Sequence, residues 1–326
     1  MAGRIREDDI ALVRERARID EVVSAYVTLR NAGGGSQKGL CPFHDEKSPS
    51  FHVTPARNVF YCFGCSEGGD VISFLQKIDG LGFTDAVERL ADKYGVQLRY
   101  EEGGNTAQAP RRDANLRPRL IEAHKAAAAF YVDRLASAEA IAGRQFLSER
   151  GFDRDAAETF GIGFAPRDGD ALVKHLRQKG FRDEELVTGG LVAQGRNGHY
   201  DRFRGRLLWP IRDASGDVIG FGARRLFDDD RIDAKYLNTP ETPIYRKSQV
   251  LYGIDLAKRE IARRKQVVVV EGYTDVMACH LSGVPTAVAT CGTAFGTDHI
   301  KVVRRLLVDD DAYSGEVVFT FDGDEA

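Results

Sequence analysis

The stretch VVVVEGYTDVMACHLSGVPTAVAT, residues 267–290, decides how the chain folds around its chemistry. Val267–Val270 is a short, uninterrupted apolar run, which reads as a strand buried on both faces. A helix over Thr274–Ser282 follows, and then a second strand over Pro285–Ala289. Further on, Ile300, Val303, Arg304 and Leu307 fall at helical spacing within Thr297–Val308, and Glu316–Phe321 reads as a third strand. Alternation of this kind predicts a parallel sheet, whose ligands gather at the carboxyl ends of its strands.

Acidic residues stand at those ends. Glu271 follows the valines directly and precedes Gly272, while Asp322 and Asp324 flank Gly323 after VVFTF. Glycine leaves room beside each carboxylate for a metal or a phosphate. A lone D-x-D is an ordinary acidic turn. Two acidic sets closing two strands of one α/β unit instead form a set of hard oxygen ligands suited to Mg²⁺ or Mn²⁺. Asp275, one helical turn beyond Glu271, is a further candidate for this set. Asp309–Asp311 follows a helix and reads as a solvated loop, and Asp228–Asp230 reads as a turn.

A second metal pattern lies near the N-terminus. Cys41, His44, Cys62 and Cys65 give C-x2-H-x17-C-x2-C, two ligand pairs able to close a tetrahedron around Zn²⁺. Three thiolates and one imidazole leave no open position, so the site is expected to be structural, with one zinc per chain. Gly64 is expected to permit the tight turn between Cys62 and Cys65. Around these ligands stand Lys38, Lys47, Phe51, Phe60, Tyr61 and Phe63. Such residues can stack bases and hold phosphates of a single strand, or the aromatics can form the core of a small module; the sequence leaves both open. His52 reads as a surface or packing residue. Cys279 and Cys291 have no paired spacing and read as core or site-wall residues.

The chain has 326 residues, 43% of them hydrophobic and 29% charged, which excludes a disordered chain, a collagen-like chain and a disulfide mini-protein. Its net charge of −3 hides a segregation: residues 196–265 carry a net of +6 and residues 266–326 a net of −7. Basic next to acidic suits a polyanion held beside metal-binding carboxylates. No run approaches the roughly 20 apolar residues of a membrane span. The N-terminus lacks the apolar centre of a secretory signal, and five cysteines give no disulfide framework, so a cytoplasmic setting without membrane partners is expected. The expected architecture is multidomain α+β. It comprises a zinc ribbon over 1–100, a flexible linker over 101–118, a mixed α+β basic subdomain over 119–264, and an α/β unit over 265–326. Within the first domain, residues 5–30 read as a helix leading into a strand, and Thr84 as a cap for a helix burying Val87, Leu90 and Ala91. An alanine-rich helix is expected around 119–136.

Taken together, the zinc motif, EGYTDVMA at 271–278, DGDEA at 322–326, DRFRGRLLWPI at 201–211 and AKYLNTPETPIYRKSQVLYG at 234–253 resemble the bacterial replicative DNA primases of the DnaG type. The order of parts matches too, ending in the Toprim unit that primases share with topoisomerases. The resemblance covers essentially the whole chain. It implies template-directed synthesis of short RNA primers on single-stranded DNA from ribonucleoside triphosphates. Arg202, Arg204, Lys235, Asn238 and Lys247 would line the template or nucleotide groove. Glu271, Asp322 and Asp324 would hold the divalent metals and carry catalysis. The ribbon would read the start site, in cis or from a neighbouring molecule, at the nucleoid. The family's Toprim domain continues past DGDEA, so an incomplete Toprim unit is expected, and with it the absence of the domain that docks on the replicative helicase. Two other readings compete: a single-stranded DNA-binding fragment without chemistry, and a topoisomerase or nuclease, for which Tyr273 inside the metal motif is the sole marked tyrosine. A primase–helicase fusion is excluded because no G-x-x-x-x-G-K-[ST] loop is present.

Overall fold

A computed structural model of the chain describes residues 4–79, 81–101, 116–196, 198–230, 232–307 and 315–321. It falls into two compact units, Met1–Leu116 with Lys301–Glu316, and Arg117–Ile300 with Val317–Ala326.

The first unit is built on a five-stranded antiparallel sheet in chain order: Arg30–Gly33, Ser36–Gly39, Phe51–Thr54, Val59–Cys62 and Gly68–Asp70. Strand alternation sends Phe51, Val53, Phe60 and Cys62 to one face, where they are buried. Helices Val71–Asp79 and Phe83–Tyr94 supply Phe74, Val87, Leu90 and Ala91 to the same core. Phe43, Phe51, Phe60 and Phe74 meet there with ring centroids 5.2–6.1 Å apart. The Asp70 carboxylate accepts from the Ser73 N–H at 2.8 Å and starts the first of these helices. Thr84 does not cap the second: Gly82 is its N-cap, and Gly95 ends it in the left-handed conformation (φ 65°).

The expected single N-terminal helix is two, Glu7–Arg16 and Ile19–Val23. The Asn58 side chain breaks it. Its amide donates to the Arg14 and Ala17 carbonyls (2.6 and 2.9 Å), and its oxygen accepts from the Ile19 N–H at 2.7 Å. The backbone groups left without helical partners at the break are thereby satisfied from 40 residues away. Arg4–Ile5 pairs antiparallel with Tyr100–Glu101, so the two ends of the module lie side by side.

In the second unit the alanine-rich helix runs over Leu116–Arg134, so Leu116–Pro118 belongs to it and not to the linker; residues 102–115 lie outside the described residues. Leu120, Ala127 and Phe130 are buried. An antiparallel sheet follows in the order Tyr236–Asn238, Val218–Arg225, Arg206–Arg212, Gly163–Ala165. DASGDVIGFGARR is indeed a hairpin limb, with the Asp213 carboxylate accepting from the Ser215 and Asp217 N–H groups in the turn. Two residues of the basic motif DRFRGR serve the fold. Asp201 is buried and accepts from the Leu172 and Val173 N–H groups (2.7 and 2.9 Å), closing the N-terminus of helix Ala171–Gln178. Buried Arg206 pairs with Asp230 at 2.6 Å and donates to the Ile232 and Ala234 carbonyls, which fixes the Asp228–Asp230 turn.

The last sheet has the order Leu251–Tyr252, Ala287–Thr290, Gln266–Val270, Glu316–Phe319. Gln266–Val270 and Ala287–Thr290 are parallel, as the α/β pattern predicts, and helices Tyr273–Leu281 and Thr297–Leu307 fall within a residue of expectation. Leu251–Tyr252 adds an antiparallel strand that was not anticipated. Gly253 (φ 83°) turns the chain straight from that strand into helix Ile254–Arg264, which packs back on the parallel pair.

The two four-stranded sheets of this unit are locked through a vacant place. In register across the antiparallel sheet stand Trp209, Gly222 and Asn238. The Tyr273 ring occupies the space above Gly222: a Cβ there would lie 2.2 Å from the ring. Tyr273 stacks on Trp209 with centroids 5.6 Å apart at 15°, and its hydroxyl donates to Asn238 Oδ1 at 2.9 Å. Replacing Gly222 by Ala should therefore cost about 1–3 kcal/mol through overpacking, read as a drop of roughly 2–10 °C in melting temperature. The double variant Gly222→Ala/Tyr273→Ala should lose less than the sum of the two single losses, since both act on one contact.

Candidate functional site

The four N-terminal ligands converge. One ligand atom from each of Cys41, His44, Cys62 and Cys65 lies within 4.8 Å of the others. Cys41 Sγ is 3.8 Å from Cys65 Sγ, and Cys62 Sγ is 3.8 Å from His44 Nδ1. A tetrahedron with metal–sulfur bonds of about 2.3 Å has sulfur–sulfur edges of about 3.8 Å, so the set fits Zn²⁺. The two buried thiols are pulled in opposite directions. Burial pushes Cys41 up. At Cys62 burial is outweighed by the nearby Ser50 hydroxyl and by hydrogen bonds from the Cys65 and Gly64 N–H groups, which lower it. A bound cation would favour the thiolate form of both.

Gly64 does not act as expected. The left-handed residue of this turn is Ser66 (φ 61°). Gly64 is needed for space: a Cβ would sit 2.6 Å from His44 Nε2 and 2.8 Å from Ser50 Oγ. The aromatics divide residue by residue. Phe51 and Phe60 are core, whereas Tyr61 is 44% and Phe63 69% exposed. Cross-strand register puts Lys38, His52 and Tyr61 in one row on the outer face, and Phe63 packs edge-on against both His52 and Tyr61, with centroids 5.0 Å apart.

Glu271 is exposed and follows Val270, the end of its strand, as predicted. The Asp275 carboxylate is also exposed, and its Oδ2 accepts from the Gly272 N–H at 2.9 Å, so it caps helix Tyr273–Leu281 and fixes the backbone next to Glu271. Asp322 and Asp324 lie outside the described residues, as does Asp309–Asp311. Before them, the Thr320 N–H donates to Val269 O at 3.0 Å, two residues short of Glu271. Carboxylate oxygens at this edge suit a hard divalent cation.

The five basic-motif residues occupy different environments. Lys235 is exposed. Arg204 lies with its guanidinium 5.2 Å from the centre of the Tyr200 ring. Arg202 is half-buried, burial lowers its guanidinium, and its Nε has no hydrogen-bond partner among the described residues. Lys247 is half-buried, and its carbonyl accepts from His299 Nε2 at 2.9 Å, while His299 Nδ1 accepts from the Gly296 N–H at 3.1 Å. Asn238 stands apart: its oxygen accepts from Tyr273 and its amide donates to Cys291 O at 2.8 Å, so both ends of the side chain are engaged within the fold. Arg224 escaped the sequence reading, standing beside Arg225 at the end of a strand outside the quoted motifs. Its guanidinium lies 4.2 Å from the Phe146 ring centre and 5.5 Å from that of Tyr236, next to Lys235. Tyr273, the residue a topoisomerase would need as nucleophile, is 5% exposed, and burial raises its phenol well above the ordinary value. Cys291 is core, as expected, and Cys279 is half-buried. No described helix is long and apolar enough to cross a membrane.

Family models match in the same order as these parts. A CHC2 zinc finger covers residues 5–106, the N-terminal domain of the DNA primase catalytic core covers 130–258, and a Toprim domain covers 265–326. The DNA primase of Streptomyces coelicolor is 62% identical over all of this chain and half of its own length, and that of Mycobacterium tuberculosis is 59% identical over the same shares. The chain thus spans about half the length of the curated relatives it matches. Among solved structures, the zinc-binding and RNA polymerase domains of the Aquifex aeolicus primase are 30% identical, covering 100% of this chain and 73% of that one with a TM-score of 0.59. The RNA polymerase domain of the Mycobacterium tuberculosis primase DnaG is 62% identical, covering 64% of this chain and 68% of that one with a TM-score of 0.63. A DnaG catalytic domain bound to single-stranded DNA is 37% identical, with coverages of 65% and 63% and a TM-score of 0.56. With its zinc quartet, its carboxylate strand and its basic sheet in the family's order, the chain belongs to the DnaG-type DNA primases.

Proposed function

We propose that the chain carries out template-directed synthesis of short RNA primers on single-stranded DNA, joining ribonucleoside triphosphates by nucleotidyl transfer, in the bacterial cytoplasm at the nucleoid. The observation that carries this reading is the exposed Glu271 at the carboxyl end of a parallel strand, tied through Tyr273 to the strand Tyr236–Asn238 of the basic motif. Carboxylate and cation positions thereby belong to one framework. Relatives solved with DNA point the same way: a DnaG catalytic domain with single-stranded DNA, and the Mycobacterium tuberculosis RNA polymerase domain with a double-stranded oligomer bearing a 6-nucleotide overhang.

In this reading Glu271, Asp322 and Asp324 hold Mg²⁺ or Mn²⁺, with Asp275 as the brace of the Glu271 backbone. A divalent cation at that edge would neutralise triphosphate charge and lower the pKa of the primer hydroxyl. The protein's own residues have chiefly to position, because phosphoryl transfer asks little covalent chemistry of them. Lys235, Arg204 and Lys247 neutralise phosphates of template or nucleotide. Arg202, half desolvated, grips an anion more strongly than a fully hydrated cation would. Asn238 acts by holding Tyr273 in place and so acts on the nucleotide site indirectly. The ribbon's outer row of Lys38, His52, Tyr61 and Phe63 stacks template bases and holds their phosphates, which suits the start-site reading that the family resemblance implies for the ribbon.

Two measurements test this. Labelled ribonucleotide incorporation on single-stranded DNA with Mg²⁺ or Mn²⁺ should fall at least about a hundredfold in Glu271→Gln, the scale of a lost electrostatic contact to the transition state, while DNA affinity stays within twofold. Absence of incorporation in the parent chain, with DNA binding intact, would favour the binding-fragment reading. Phe63→Ala should weaken single-stranded DNA binding by about 5- to 150-fold, the worth of one base–aromatic stack, and leave the salt dependence unchanged. Lys38→Ala should instead make the salt dependence shallower.

A further inference from the structure

Beside the zinc ligands lies one carboxylate to which neither the motif nor the family models give a role. Glu46, two residues past His44, turns its side chain back under the cluster, where it is 10% exposed. Its Oε1 accepts from the Cys41 N–H at 2.6 Å and from the Ser50 N–H at 3.2 Å. Its Oε2 accepts from the Ser50 hydroxyl and lies 3.3 Å from His44 Nε2. Ser50 Oγ is in turn 3.3 Å from Cys62 Sγ. One side chain therefore touches the backbone of one ligand, the ring of a second, and through Ser50 the sulfur of a third.

We infer that Glu46 is the positioning residue of the zinc site, holding His44 as the tautomer that coordinates through Nδ1 and donates through Nε2–H. Geometry requires this orientation. Nδ1 is the nitrogen that faces Cys62 Sγ, and Nε2 is the one that faces Glu46. A carboxylate behind a metal-bound imidazole fixes its ring and raises its basicity. The requirement for charge is equally specific. All four groups around Glu46 are donors, two on each oxygen, and a carboxylate only accepts. Glutamine would turn an NH₂ towards two of them, so the usual isosteric replacement is a mismatch here. Gly64 completes the arrangement from the other side, since a Cβ would strike the Nε2 edge of the same ring.

Zinc transfer from the full chain to a chromophoric chelator tests the assignment. Glu46→Gln should weaken zinc retention about 10- to 100-fold, the measured range for outer ligands of zinc sites. The cobalt-substituted variant should show a shifted ligand-field spectrum, because the imidazole contribution changes while the three thiolates remain. A merely structural glutamate would lower the melting temperature without altering that spectrum. Ser50→Ala, which keeps the charge and removes one donor, should fall between parent and Glu46→Gln. Should Glu46→Gln fail to fold, the parent still decides: long-range ¹H–¹⁵N spectra of the zinc-loaded chain should show His44 protonated at Nε2 and bound through Nδ1. Coordination through Nε2, or zinc retention and cobalt spectrum unchanged in Glu46→Gln, would overturn the inference.

Discussion

A tyrosine in the place of a missing side chain holds the core unit together. Gly222 sits mid-row between Trp209 and Asn238, and the Tyr273 ring fills the gap, stacked on the indole and hydrogen-bonded to the amide. The contact is buried, so its apolar area and its single polar group are both satisfied at once. Its position in sequence gives it wider effect. Tyr273 begins the helix that follows Glu271 and Gly272, while Asn238 closes the strand that begins at Tyr236, next to Lys235. Carboxylate and cations are thus placed by the same side-chain interlock. The Asn238 amide extends it to the Cys291 carbonyl, just past the end of the neighbouring strand.

The zinc module is organised on a different economy of contacts. Its sheet buries one face against helices and leaves the other to solvent, and the exposed aromatic pair Tyr61 and Phe63 stands on the solvent side. A module of about a hundred residues has limited apolar area to bury, and a metal would join two turns that Ser50 and Glu46 also bridge. Structural zinc contributes directly to folding free energy in such a case.

Local chemistry was readable in the sequence; long-range partners were not. The metal quartet shows as two fixed spacings, and knuckle geometry converts spacing into a tetrahedron. Glu271 shows because a strand of valines has to end, and the sheet edge is where it ends. The helices of the α/β unit show because one face is apolar with a 3.6 period. What escaped depends on residues far apart along the chain. Asn238, placed in the groove by the family resemblance, has side-chain partners 35 and 53 residues further on. Arg206 and Asp201 looked like part of a basic motif, yet one is an internal strut and the other a remote cap. The interruption of the N-terminal helix is dictated by Asn58, and the need for glycine at 64 by the ring of His44. Leu251–Tyr252 was too short to register as a strand until its partner was in place.

The pairing of Arg4–Ile5 with Tyr100–Glu101 limits how early the module can close during synthesis. Chains emerge from the ribosome N-terminus first and domains fold as units as they appear. The four zinc ligands lie within 25 residues, from Cys41 to Cys65, so the metal can be captured once that hairpin is out. Closure of the module must wait for residue 101, because the two strands that seal it come from its opposite ends. Metal uptake can therefore precede completion of the hydrophobic core, which would let the ribbon mature in two stages: a short-range one driven by the ion and a long-range one driven by burial.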